Sequence, residues 1–294
     1  MRAPARYRLL LAILALLAAA GCQQASSPDG KPLVVASFYP MYEFARQVAG
    51  DRAQVVSLVP TGVEPHDWEP SPQDMAQVRR ARLFVYNGAG LEPWAEKVKA
   101  EVDGKTTAVV SATSGIPLVG GDPHVWLDPT LARMEVETIR AALARVDPGG
   151  TEVYAAQAKA FAAKLDALDD RFAAGLRDCA RREVVVSHAA FGYLTRRYRL
   201  EQVPVMGLAP ESEPSPAALA AIVRLARQRK VEAVFFETLV NRRLADTLAR
   251  EVGARTLVLN PIEGLTREEA AAGKGYLDLM TVNLANLREG LGCR

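Results

Sequence analysis

Histidine is scarce: the chain has three in 294 residues, His66, His124 and His188. Cysteine is equally scarce, at three. Charge of one sign is not in excess, since acidic and basic residues are interspersed and the net charge is +2. No basic stripe points to nucleic acid. Beyond the N-terminus no run is apolar enough to span a bilayer. Neither an HExxH helix nor another hydrolase motif is present. The segment Ser114 to Gly121 contains no His, Asp or Glu.

What is present begins with the leader. Arg2, Arg6 and Arg8 precede the apolar run Leu9 to Ala20. At about a dozen residues that run is too short for a spanning helix and fits the h-region of a signal peptide. It ends in LAAAGC, Leu17 to Cys22. Small residues directly before a cysteine resemble a bacterial lipobox, with Cys22 as the lipidated first residue. An ordinary secretory signal with an incidental Cys is the alternative. The expected division is therefore a signal peptide over 1–21 and a polar tether over 22–31. An exported chain can hold a disulfide, so Cys179 and Cys293 are either a pair or two isolated thiols.

The remaining chain, about 260 residues, suits one large or two ordinary domains. Val-rich runs read as buried strands: PLVVASF, AQVVSLV, RLFVYN and TTAVVSA, then EVVVSH, EQVPVMG, EAVFFE and RTLVLN. Helical patterns separate them, such as Met41 to Val48, Gln73 to Arg80, Ala217 to Arg229 and Arg243 to Val252. This alternation predicts an α/β fold of two lobes, each a small, mostly parallel four-stranded sheet flanked by helices. GVEPHDWEPSP (62–72) and GLAPESEPSP (207–216) form an internal repeat, in which Ser71 and Ser215 are candidate helix caps. Between the lobes, Tyr154, Phe161, Leu165, Leu168, Phe172 and Leu176 recur at helical spacing. They predict one long, stiff helix of roughly 40 Å. The expected domains are an N-terminal lobe over 32–150, a linking helix over 151–178 and a C-terminal lobe over 179–294.

Ligands of parallel α/β sheets bind beyond the carboxyl ends of the strands. His66, His124 and His188 each follow such an end, two in the first lobe and one in the second. An interlobe cleft would unite them with carboxylates: Glu263 follows TLVLN, Glu237 ends EAVFFE, and Glu211 occupies the repeated loop. Three imidazoles and one carboxylate suit four-coordinate Zn²⁺. Asp122 or Asp128 could orient an imidazole or cap a local turn. Trp68 and Trp126 could line the site or serve only as packing residues.

SFYPMYEFARQVAGD (37–51), GVEPHDWEPSP, DPHVWLDP (122–129), SHAAFGYL (187–194), VFFETLV (234–240) and LNPIEGLT (259–266) together resemble the cluster A-I solute-binding proteins of bacterial ABC importers, the zinc and manganese group. The resemblance covers essentially the mature chain. It implies two α/β lobes joined by a rigid helix, with the metal between them on His66, His124 and His188. Relatives that take manganese or ferrous iron tend to have a carboxylate at the position of His188, so the resemblance implies Zn²⁺, with Mn²⁺ or ferrous iron as the alternative. Many relatives have Asp at the position of Asn260; those with an Asn-Pro-hydrophobic-Glu turn imply Glu263 as fourth ligand, with Asn260 or water as alternatives. Glu237 and Glu211 are further candidates near the ion. The implied protein is a monomeric, lipid-anchored, extracytoplasmic capture protein that delivers metal to an ABC permease and is not an enzyme. A zinc hydrolase and a surface adhesin are the readings from other classes.

Overall fold

The structure is a computed structural model that describes residues 30–102, 107–208, 216–239 and 243–294. The leader with Cys22, most of the tether, Ser215 and Glu211 lie outside the described residues. The first lobe holds strands β1 (Leu33–Ala36), β2 (Gln54–Ser57), β3 (Leu83–Tyr86) and β4 (Ala108–Ser111). Its helices are α1 (Tyr39–Ala49), α2 (Pro72–Arg80), α3 (Ala95–Val102) and α4 (Pro129–Val146). The long helix α5 (Thr151–Gly175) leads to the second lobe. There β5 (Glu183–Val186), β6 (Glu201–Pro204), β7 (Ala233–Phe236) and β8 (Arg255–Val258) alternate with α6 (Gly192–Arg197), α7 (Pro216–Gln228) and α8 (Arg243–Val252). Helices α9 (Arg267–Ala271) and α10 (Tyr276–Leu291) close the chain.

The two sheets have the same topology, β2-β1-β3-β4 and β6-β5-β7-β8, and every pairing is parallel. Parallel strands need crossovers, and helices laid over both faces explain why β3, LFVY, is buried at every position. The internal repeat reflects this duplicated topology. Its first copy behaves as its sequence implies: Ser71 caps α2 in a reciprocal capping box with Asp74, and Pro72 opens the helix.

Helix α5 does more than connect. Its stripe Tyr154, Phe161, Leu165, Leu168 and Phe172 is buried, and it belongs to one apolar cluster that also takes in Phe44 of α1, Ile139 of α4, Phe235 of β7 and Met280 of α10. The lobes therefore share a core. Edge-on aromatic contacts fasten it: Phe38 meets Trp126 at 5.1 Å between ring centroids, and Phe44 meets Tyr276 at 5.1 Å. Cys179, just past α5, is disulfide-bonded to Cys293, just past α10. That bond ties the end of the linking helix to the C-terminus. Among the described residues no helix is long and apolar enough to cross a membrane.

One buried group works against the core. Glu135 of α4 is fully buried, and neither of its oxygens has a hydrogen-bond partner. Burial, and then the charge of Glu92, raise its carboxyl well above the ordinary value of 4.5. The folded protein thus keeps a proton that the unfolded chain gives up near pH 4.5. Any stability this group contributes is fully present below that pH and is lost as pH rises toward the folded value. Glu135→Met is expected to raise the thermal midpoint at pH 8, by about 1–4 kcal/mol in stability, and to flatten its decline above pH 5. Thermal unfolding across pH checks this. Breaking the Cys179–Cys293 bond, which spans 114 residues, is expected to cost about 2–4 kcal/mol in denaturant unfolding.

Candidate metal centre

His66 lies in the loop between β2 and α2. His124 precedes a short 3₁₀ turn, Val125–Leu127, that leads into α4. His188 follows β5 and precedes a second 3₁₀ turn, Ala189–Phe191. Glu263 lies in the turn after β8. All four occupy the carboxyl side of their sheets, and the structure brings their donor atoms within 4.8 Å of one another. His124 and His188 are fully buried, and Glu263 is 1% exposed. The His66 side chain, at 8%, is the one that reaches toward solvent.

The spacing is informative. Glu263 Oε1 stands 3.3 Å from His66 Nε2, 3.1 Å from His124 Nε2 and 3.4 Å from His188 Nε2. His124 and His188 approach each other through Nε2 at 3.4 Å. Two donors bound tetrahedrally to one zinc ion are about 3.3 Å apart, given bonds of about 2.05 Å. Four of the six donor–donor distances therefore match the edges of a zinc-sized tetrahedron, and the two from His66 to the other imidazoles lie within 4.8 Å.

Outer carboxylates fix the ring orientations. Asp122 Oδ1 meets His124 Nδ1 at 2.7 Å and also accepts the His124 backbone N–H at 2.9 Å. Glu237 Oε1 meets His188 Nδ1 at 2.7 Å. A carboxylate at Nδ1 selects the tautomer with its proton there, leaving the Nε2 lone pair for an ion. Asp128 has the other role open to it and caps α4 through the Thr130 backbone N–H. Glu237 is thus a partner of a ligand candidate. Trp126 flanks the His124 ring at 5.3 Å, whereas Trp68 packs on Trp94.

Asn260 does not point a free amide at the centre. Its Oδ1 accepts the Ile262 backbone N–H at 2.7 Å, and its Nδ2 donates to Glu269. Its geometry favours Glu263 as the fourth donor. At Gly192, the first residue of α6, a Cβ would lie 2.5 Å from Asp122 Oδ2 and would push on the carboxylate that holds His124. One residue was missed in the sequence: Glu64, whose Oε1 accepts the His66 backbone N–H at 3.0 Å. The signal existed, since Glu64-Pro65-His66 and Asp122-Pro123-His124 are the same acid-Pro-His pattern. Each acid folds back onto the histidine two residues on.

The buried charges are strongly coupled. Burial disfavours the His188 cation, but Glu237 and Glu263 outweigh it and push the group up to about 10. Burial opposes charge on His124 as well, and Asp122 and Glu263 again raise it. Glu263 is held well below the usual carboxylate range, because His124, His188 and His66 overcome the cost of burial. Burial, and then Glu263, raise Glu64 to about 8. The raised imidazoles and the lowered Glu263 carboxyl favour a protonated cluster, and a divalent cation would compete with those protons.

Residues 34–290 match the family described as ZnuA, zinc-uptake complex component A, periplasmic. The chain is 41% identical over 286 residues to the high-affinity zinc uptake system protein ZnuA of Bacillus subtilis, covering 91% of this chain and 90% of that one. It is 39% identical over 303 residues to the zinc-binding lipoprotein AdcA of Streptococcus pneumoniae, covering 97% of this chain and 60% of that longer protein. A solved structure of the Zn(II)-bound ZnuA-like domain of the same AdcA superposes with a TM-score of 0.81 at 40% identity, covering 89% of this chain and 99% of that one.

Glu237 and Glu263 favour the protonated His188 imidazole over the cost of burial, so zinc binding at neutral pH is expected to displace its Nε2 proton. The sign follows: affinity rises with pH, and acid releases the ion. Calorimetric zinc titrations at pH 7 in buffers of different ionisation enthalpy are expected to show one or more protons released per ion. The apparent affinity is expected to fall about tenfold or more per unit of acidification.

Proposed function

The chain belongs to the ZnuA family of zinc-uptake components, and from that membership we propose that it binds one Zn²⁺ through His66, His124 and His188 Nε2 and Glu263 Oε1 and hands the ion to an ABC importer permease. The observation that carries the reading is the tetrahedral spacing of 3.1–3.4 Å around Glu263 Oε1. The nitrogen-rich set favours zinc over manganese or ferrous iron. Zinc here is cargo, not a catalytic metal. Catalytic zinc keeps a position open for water, and Glu263 fills it.

The lobe division 32–150, 151–178 and 179–294 fits this role. Each lobe supplies two ligands, and α5 holds the lobes at a set distance. A lipid on Cys22 keeps the monomeric protein at the outer face of the membrane, where the permease receives the ion.

The test is a titration of the tag-free, metal-stripped protein with Zn²⁺ and Mn²⁺ in competition. The expected result is one tight Zn²⁺ per chain that excess Mn²⁺ does not displace. A four-ligand site worth about 10–16 kcal/mol implies ~3 kcal/mol per ligand, roughly a hundredfold. His188→Ala and Glu263→Ala are each expected to weaken zinc by about that factor. Preference for Mn²⁺ would move the protein to the manganese group; no stoichiometric ion would end the transport reading.

A further inference from the structure

Glu263 is delivered to the centre by a turn whose backbone is unfavourable. Ile262, the residue before it, has φ +60°, a conformation that is an outlier for a β-branched side chain. Ile262 is also fully buried. Such a conformation persists only where its surroundings over-determine it, and here they do. Asn283 of α10 grips Asn260 at both backbone groups: its Oδ1 accepts the Asn260 N–H at 2.8 Å, and its Nδ2 donates to the Asn260 carbonyl at 2.7 Å. Asn260 then uses its own Oδ1 to hold the Ile262 N–H at 2.7 Å. Between them, the Pro261 carbonyl accepts Trp126 Nε1–H at 2.8 Å.

Asn283 is fully buried, and both ends of its amide are spent on this one turn. Its neighbour on the same helix, Asn286, holds the Val258 carbonyl at the end of β8. The chain running from β8 to Glu263 is thus fastened to α10 through Asn283 and Asn286, and at Pro261 to Trp126 beside His124. We propose that Asn283 is a positioning residue for the metal: through Asn260 it holds Ile262 in its left-handed conformation and so fixes Glu263 Oε1 at bonding distance from the three imidazoles. This rests on the reading of Glu263 as a ligand. Without the clamp, the turn relaxes toward negative φ, and Glu263 leaves the tetrahedron while the three histidines stay in place.

The experiment compares the tag-free exported protein with Asn283→Ala, Glu263→Ala and the double variant. It measures zinc affinity by chelator competition, the visible spectrum with Co²⁺ in place of Zn²⁺, and the metal-free melting temperature. Removing a group that orients a ligand typically costs 10–100-fold in affinity. Asn283→Ala is expected to weaken zinc by that factor and to change the Co²⁺ bands toward a site in which water replaces Glu263. In the Glu263→Ala background it is expected to add nothing further. A merely structural role would lower the melting temperature without this non-additivity and without the spectral change. Should Asn283→Ala fail to fold, Asn260→Ala leaves the α10 clamp on the backbone and removes the bond to Ile262; the same loss and the same spectral change are expected. Unchanged affinity and spectrum in the folded variants, with Glu263→Ala still impaired, overturn the positioning role alone. An unimpaired Glu263→Ala overturns the ligand reading and the positioning role together.

Discussion

Trp126 sets the distance between the two halves of the site. Its indole is fully buried and stands edge-on to Phe38 of the first lobe. Its Nε1–H reaches across to the Pro261 carbonyl of the second lobe, and its own carbonyl accepts the Tyr276 hydroxyl of α10. It follows His124 by two residues and bonds to the residue two before Glu263. A donor from each lobe therefore hangs from one rigid aromatic side chain. With the core continuous along α5, wide opening of the lobes would expose that core and break these bonds. Such separation is far more costly than moving the loop that carries His66, the one partly open ligand candidate.

The electrostatics follow from the same closure. Two imidazoles and a carboxylate with almost no exposure cannot be stable as isolated charges. They are stable as a network because Asp122 and Glu237 stand behind the rings and Glu263 stands in front of them. Before an ion arrives, protons and mutual hydrogen bonds neutralise the cluster. On the proposed zinc binding, a divalent cation would replace the protons among donors that already stand close together. Low reorganisation supports tight binding, and the exchange of ion for protons provides a route to release.

Much of the architecture was legible because its signals are local. Val-rich runs, the apolar stripe of α5 and the Ser-Pro helix start at Ser71 each encode structure within a few residues. The duplicated loop pointed to related halves, and the shared strand order of the two sheets agrees with that relation. The histidines were legible through topology, since strand ends of parallel sheets converge. Glu64 was missed because its role is to fold back on its own loop, although the acid-Pro-His pattern it shares with Asp122 was visible. Asn283 carried no signal at all. A single amide in an amphipathic helix looks like any other until its partner, 23 residues away in sequence, is placed against it.

The sequence by itself determined the element types, the two parallel sheets and a shortlist of candidate donors, the three histidines with Glu263, Asn260, Glu237 and Glu211, because side-chain chemistry and hydrophobic periodicity are properties of short segments. Only the tertiary structure decided that Cys179 and Cys293 are bonded, that Asp122 serves an imidazole while Asp128 caps a helix, and that Asn260 shapes the turn instead of facing the centre. Each of those choices depends on distances of a few ångströms between residues remote in sequence. Packing across the shared core fixes those distances, and no local pattern encodes them.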